Sequence, residues 1–290
     1  MSIRKTNRTI TLGLISDTHM PDRWRTLHDS LFDIFAGVDL ILHAGDVGEL
    51  WVLDQLSQVA PVVAVHGNDD SPDSIRELPF QQVVVIGGRR ILLTHSHFPD
   101  RDEEMEKRKI DEWHPKLQRL ADMAKGAGAD ILVFGHTHIA LDTYYDGVRL
   151  INPGAIASGS HFNRQTIQTV AQLIFSSQTE PVLRYFDVNQ PDRVFAPQVD
   201  LEAGFRAALE PTQEVIITDD LSEESTRLMR EIYPLAPAPL IGALSRVAHR
   251  CWSGEQDKYS LQEVIDEVMQ ADDVPPAVKQ KIRDFLPSRV

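Results

Sequence analysis

The sequence predicts an α/β protein with a helical appendage at its C-terminal end. Three observations point there. Between residues 10 and 78, short apolar runs alternate with helix-patterned stretches, the mark of a parallel sheet. From about residue 83 to residue 188 the pattern changes to hairpins and β-rich runs. Beyond Asn189 it changes again, through a linker-like stretch at 190–197, to helical periodicity. The expected organisation is one α/β domain over 1–189 and a helical extension over 190–290.

Residues 10–16 read as the first strand, which exits into Asp17-Thr18-His19 and is kept from continuing by Pro21. Residues 25–35 read as a helix, with Leu27, Leu31, Ile34 and Phe35 on one face and Gly37 as its stop. A second strand, 39–43, exits into Ala44-Gly45-Asp46. A second helix, 49–59, spaces Leu50, Leu53 and Leu56 for burial before Pro61. The third strand, 62–66, exits into Gly67-Asn68-Asp69-Asp70, and a short helix follows at 74–78. Residues 83–86 and 91–94 flank Gly87-Gly88 as a hairpin. The hairpin's second arm leads into His95-Ser96-His97.

Residues 102–125 read as one long, charged helix with Leu117, Leu120 and Met123 on its buried side. Four apolar residues, Ile131 to Phe134, read as a strand buried on both faces. Gly135 ends it, and His136 and His138 follow one residue apart. In an extended backbone, residues i and i+2 point the same way. Both imidazoles can then enter one volume beyond the strand end, where open α/β sheets place ligands. Asp146-Gly147 turns a hairpin between 143–145 and 148–151, Asn152-Pro153-Gly154 is a further turn, and 166–175 and 182–188 are strands. The tail reads as helices at 200–209, 222–232, 239–250, 260–269 and 276–285, with a capping-box pattern at Ser260 and Glu263.

The net charge of −14 over 290 residues, without a Lys/Arg run, argues against long nucleic acid as a partner. A single cysteine, Cys251, excludes an intrachain disulfide and a cysteine-based zinc site, and fits a reducing compartment. Residues 1–8 are polar, and no apolar run approaches the length of a membrane span. The expectation is a cytoplasmic protein with no membrane partner.

The strand exits collect Asp17, His19, Asp46, Asn68, His95, His136 and His138. Carboxylate, imidazole and carboxamide without thiolate suit manganese, iron, zinc or nickel better than an all-oxygen magnesium or calcium site. Seven side chains are too many for one ion and suit two ions that share a carboxylate. Two such ions can clamp the attacking and leaving oxygens of a displacement at phosphorus, and they make hydroxide available from a shared water at neutral pH.

The ordered series Asp17-x-His19, Gly45-Asp46, Gly67-Asn68-Asp69, His95 and Gly135-His136-x-His138 resembles the calcineurin-like metallophosphoesterases. Leu42-His43-Ala44-Gly45-Asp46, Leu93-Thr94-His95 and Asn152-Pro153-Gly154 are similar to its YfcE-like phosphodiesterase branch, which also includes the retromer subunit Vps29. The resemblance runs from about Thr9 to Val188. It implies a four-layer α/β/β/α sandwich with two divalent ions, manganese first among the candidates. One ion would take Asp17, His19 and His138, the other Asn68, His95 and His136, with Asp46 between them. The implied activity is hydrolysis of a small phosphodiester. A phosphomonoesterase or nucleotidase is the alternative within enzymes, and a non-catalytic Vps29-like scaffold the alternative outside them.

Two departures stand out. The superfamily often carries a proton-donating histidine directly after the asparagine, where this chain has Asp69. The helical tail is not part of the common single-domain form; its apolar stripes could serve packing or a homo-oligomer. Asp69 and His97 are the two candidate catalytic residues beside the metal ligands. His43 and His66 read as structural, and Trp51 and Trp113 as packing residues. Asn152 and Gly154 fit either the site wall or a structural turn.

Overall fold

Two six-stranded sheets lie face to face, each backed by helices on its outer side. The computed structural model describes residues 2–3, 9–176, 180–272 and 274–285. Residue 1 and residues 4–8 of the polar N-terminal segment lie outside that set.

In chain order the elements are β1 (Ser2–Ile3), β2 (Ile10–Ile15), α1 (Asp29–Ile34), β3 (Leu40–His43), α2 (Trp51–Ser57), β4 (Val62–Ala64) and α3 (Pro72–Glu77). Then come β5 (Gln81–Ile86), β6 (Arg89–Thr94), α4 (Arg101–Lys107), α5 (Trp113–Gly126), β7 (Ile131–Phe134), β8 (Leu141–Tyr145), β9 (Val148–Asn152) and β10 (Asn163–Gln165). The chain continues with β11 (Thr169–Phe175), β12 (Val182–Asp187), β13 (Val194–Phe195), α6 (Gly204–Leu209) and β14 (Gln213–Val215). It closes with α7 (Asp219–Glu231), α8 (Pro237–Trp252), α9 (Leu261–Gln270) and α10 (Pro276–Phe285).

One sheet has the order β13-β12-β11-β2-β3-β4, with β2, β3 and β4 parallel. The other has the order β1-β5-β6-β7-β9-β8, with β6, β7 and β9 parallel and the two expected hairpins antiparallel. Leu12, Leu14, Leu40 and Leu42 from the first sheet pack between the layers against Leu93, Val133 and Ile151 from the second. Alternate residues of the same strands face outward, Ile15 and Ile41 toward α1 and α2, and Leu92, Leu132 and Phe134 toward α5. Burial on both faces explains the uninterrupted apolar runs of β3 and β7. This is the four-layer α/β/β/α sandwich, and helices follow it in the C-terminal part.

The single helix expected over 102–125 is instead two, α4 and α5. Pro115 explains the break. In a continuous helix its ring would strike the carbonyl of Asp111, four residues back, whereas in the first turn of α5 its missing N–H costs nothing. The helix expected over 25–35 is likewise shorter, beginning at Asp29.

The chain divides into two compact units, Met1–Gly159 with Gln165–Gln213, and Ser160–Arg164 with Glu214–Val290. Residues 190–213 thus fall in the first unit, where Val199, Leu201, Phe205 and Leu209 pack on the α5 side of the second sheet. The second unit is helical. Leu221, Leu228, Leu240, Leu244, Val247, Leu261, Val264 and Ile265 are among its buried apolar residues, and Ser260 and Glu263 close the capping box of α9. Among the described residues, no helix is long and apolar enough to cross a membrane.

Candidate metal centre

The strand ends of both sheets deliver their polar residues to one place in the first unit. Asp17, His19 and His138 each present a donor atom, all within 4.8 Å of one another. Asp46, His95 and His136 do the same, as do His19, Asp46 and Asp69. Asp46 belongs to both of the latter groups. Its Oδ2 lies 3.5 Å from His19 Nε2 and 3.1 Å from His95 Nε2, so one oxygen faces the first cluster and the second together. Its Oδ1 accepts from Asp69 N at 2.8 Å.

The strand exits are not extended, so an i, i+2 geometry is not what brings these residues together. Asp17, His19, Asp46, Ser96, His136 and His138 all have φ between 45° and 80°, in the left-handed region rather than extended. His136 and His138 consequently serve different clusters. Left-handed conformations cost about 1–2 kcal/mol per non-glycine residue, so six of them would cost roughly 10 kcal/mol. A sum of that order rivals the net stability of a typical domain. It is offset here by bonds that fix the loops: Asp17 N to Gly45 O at 3.0 Å, His19 N to Asp46 O at 3.0 Å, and His136 N to both Asp17 oxygens at 3.1 Å. Strain gathered at one spot is a feature of functional sites.

Glycines leave room for the ligands. A Cβ on Gly67 would stand 2.0 Å from Asp46 Oδ1, and one on Gly45 would stand 2.6 Å from His95 Cβ. Asn152 and Gly154 turn out to support rather than line the site. Asn152 Nδ2 donates to Gly135 O and Thr137 Oγ1, each at 3.0 Å, and Gly154 O accepts from Ser16 at 2.7 Å. His43 is buried behind the Asp17 loop with Nε2 3.0 Å from Thr18 Oγ1. Trp113 packs on Phe205.

The donor chemistry fits cations. His95 Nδ1 is 2.9 Å from Ala44 O and His138 Nδ1 is 2.9 Å from Ala157 O; a carbonyl only accepts, so both Nδ1 atoms carry hydrogen. In the neutral rings each Nε2 then offers a lone pair. Those lone pairs face other acceptors, Asp46 Oδ2 for His95, and Asp17 Oδ1 at 3.3 Å for His138. Such a set repels itself unless protons or metal ions sit within it. Burial pushes the His95 pKa down, but Asp46 beside it prevails and holds it at about 9. The buried Oδ1 of Asn68 has no hydrogen-bond partner among the described residues, and a cation would give it one.

Asp69 does not stand as a bare carboxylate. Its Oδ2 accepts from Arg23 Nη2 at 2.6 Å and its Oδ1 from Asn68 Nδ2 at 2.9 Å. Burial favours its protonation, yet the guanidinium of Arg23 keeps its pKa below the usual carboxylate range. His97 is buried among rings, 4.9 Å from Phe80, 5.7 Å from His66 and 5.5 Å from His95 between centroids. Burial, with His95 and His136 nearby, lowers its pKa to about 3.

Three residues escape the sequence reading. Arg23 reaches His19 Nε2 and Ser158 O, each at 3.3 Å, besides Asp69. Asp70 accepts from Gly67 N and Gly48 N, both at 2.6 Å, and so ties the third strand exit down. Glu104 of α4 lies 2.7 Å from His136 Nε2. Arg23 leaves a sequence trace four residues after His19 in the same loop, and Asp70 closes the third strand exit, whereas Glu104 leaves none.

Known proteins similar to this chain are named as phosphoesterases. The model of the calcineurin-like phosphoesterase superfamily domain matches residues 10–174. A probable metallophosphoesterase of Methanothermobacter thermautotrophicus is 35% identical over 144 residues, 50% of this chain and 76% of that protein. A phosphodiesterase of Methanocaldococcus jannaschii is 25% identical over 158 residues, 49% of this chain and 82% of that protein. Among solved structures, Vps29 of Chaetomium thermophilum is 16% identical with a TM-score of 0.44, over 61% of this chain and 95% of that one.

Proposed function

The chain belongs to the calcineurin-like phosphoesterase superfamily, and from that premise we propose that it hydrolyses a small phosphodiester with two divalent ions. The observation that carries this reading is the pair of donor clusters joined by Asp46 Oδ2. Asp17, His19 and His138 would hold one ion, and Asn68, His95 and His136 the other, with Asp46 shared. No position of this set is apolar, which disfavours a purely scaffolding role. So bound, the ions would supply hydroxide at neutral pH and polarise the phosphoryl group; manganese is the first metal to try.

The chain's own residues then divide the remaining work. Arg23 holds a permanent positive charge next to the first cluster, with a planar fork suited to phosphoryl oxygens. Asp69 holds that fork in place and, being ionised, has no proton to give a leaving group. Without such a donor, diesters with good leaving groups suit the site better than monoesters. The phosphodiesterase relative from M. jannaschii supports the same substrate class.

The test is a substrate panel on manganese-reconstituted protein, covering cyclic nucleotides, aryl diesters and monoesters, with Asp46→Ala as the control. Diester turnover above monoester turnover is expected, and Asp46→Ala should lose most activity together with one or both ions. Faster monoester hydrolysis would overturn the diester reading. Full metal content and normal turnover in Asp46→Ala would overturn the shared-carboxylate site.

A further inference from the structure

His136 is held differently from its neighbours. His95 and His138 each donate from Nδ1 to a backbone carbonyl. His136 instead points Nε2 at a side chain, Glu104 Oε1, 2.7 Å away. That carboxylate is itself fixed. Its Oε2 accepts from Phe98 N at 2.8 Å and its Oε1 from Arg108 Nε at 2.7 Å. Glu104 is 6% exposed, and a buried carboxylate is tolerated only when bonded in this way.

The helix that brings it is unusual. Glu104 is the only buried residue of α4, whose Met105 is 52% exposed. A short helix with no apolar anchor is thus tied to the protein by a charged side chain that ends on a candidate metal ligand. Asp100 caps its start by accepting from Glu103 N at 2.8 Å, which fixes the helix register that aims Glu104 inward.

The hydrogen-bond logic assigns the tautomer. An ionised carboxylate only accepts, so His136 Nε2 carries the hydrogen. Phe98 N and Arg108 Nε donate to the same carboxylate and so favour its ionised form. The lone pair of the neutral ring is therefore on Nδ1. That atom lies 3.2 Å from His95 Nε2, inside the group formed by Asp46, His95 and His136.

We propose that Glu104 is a positioning residue for one of the two metal sites, fixing the ring and tautomer of His136 so that Nδ1 faces the ion. A carboxylate behind a ligating histidine orients the ring and raises its basicity, and losing such a partner typically costs about 10–100-fold in metal affinity. The inference rests on the two-ion reading above, and it concerns only the Asn68, His95 and His136 side of the site. The site of Asp17, His19 and His138 has no contact with Glu104 among those described.

The experiment is Mn²⁺ titration of the full-length, metal-stripped protein by calorimetry, with electron paramagnetic resonance to follow each ion and thermal unfolding measured in parallel. Wild type, Glu104→Ala and Glu104→Gln are compared. The expected result is two ions in wild type and a loss of about 10–100-fold in affinity for one ion only in Glu104→Ala. Glu104→Gln, which can still accept from His136 Nε2, should recover part of that loss. A role confined to anchoring α4 would lower thermal stability without singling out one ion. Unchanged affinities in Glu104→Ala, or equal weakening of both ions, would overturn the proposal. Wild-type protein that takes up fewer than two ions would instead overturn the two-ion reading, and this inference with it.

Discussion

Asp69 occupies the position where a proton donor is often found in this superfamily, and its bond to Arg23 determines what it does instead. A donor must have a pKa near the working pH to be worth its typical 10²–10⁴-fold, roughly. The Arg23 guanidinium at 2.6 Å holds Asp69 ionised, and so removes it from that role. The same bond also neutralises Asp69, so the carboxylate repels an anionic substrate less than its charge alone suggests. Across aryl diesters of graded leaving-group pKa, wild-type rates should fall steeply as the leaving group worsens. Asp69→His should flatten that dependence and gain most on the poorest leaving groups. A shallow wild-type dependence would mean that another group already donates, with His97 or a bound water the first to examine. The ligand-type residues at the strand exits were legible because each lies just beyond the end of an apolar run. Arg23 and Glu104 were not, since neither lies at a strand exit and each acquires its meaning only from a partner far along the chain.

At the scale of elements, the strands were the most legible part of the chain and the loops beyond them the least. Four consecutive apolar residues in β7 and the glycine turns of the two hairpins suffice to place those elements. Nothing local shows that the residues after β2, β3 and β7 leave the extended region for the left-handed one. That conformation is imposed by bonds between exits, such as His136 N to Asp17. The break between α4 and α5 was readable from Pro115, whereas the burial of Glu104 in a helix of charges was not. The exits interlock closely enough to make a sharp prediction about Gly45, whose φ is +88°. Gly45→Ala would set a methyl 2.6–2.8 Å from the Cβ, Cγ and Nδ1 of His95. A side chain cannot remain there, so His95 must move from Ala44 O and Asp46. Loss of the ion on the His95 side is expected in protein that still folds, as measured by manganese stoichiometry beside circular dichroism. Gly147→Ala, where no atom lies within 4 Å of the added carbon, is the matched control because its φ of +80° carries the same backbone strain. Equal metal content in the two variants would show that the close approach at Gly45 does not matter.

At the scale of the molecule, the metal centre and the helical unit are separable in composition but joined by the chain. All seven candidate ligands lie in the unit of Met1–Gly159 and Gln165–Gln213. A cut near Asn189, where the composition changes, would remove β13 and the apolar residues Leu201, Phe205 and Leu209 that pack against the α5 layer. Burying a side chain of this type stabilises by roughly 1.5–3 kcal/mol, so losing several approaches the whole stability of a domain. Truncation after Gln213 spares them. It leaves Ser160–Arg164 without their partners in the second unit, among them the bonds from Tyr259 Oη to His161 O, from Trp252 Nε1 to Asn163 O and from Arg164 to Cys251 O. That segment follows directly on Ala157 and Ser158, whose carbonyls accept from His138 and Arg23. A chain ending at Gln213 is therefore expected to fold and to bind metal, whereas one ending at Asn189 should unfold at lower temperature or fail to fold. Thermal unfolding and manganese stoichiometry of the two truncations decide the matter. A folded chain ending at Gln213 that binds no metal would mean that the helical unit contributes to the centre in a way its ligand-poor sequence does not reveal.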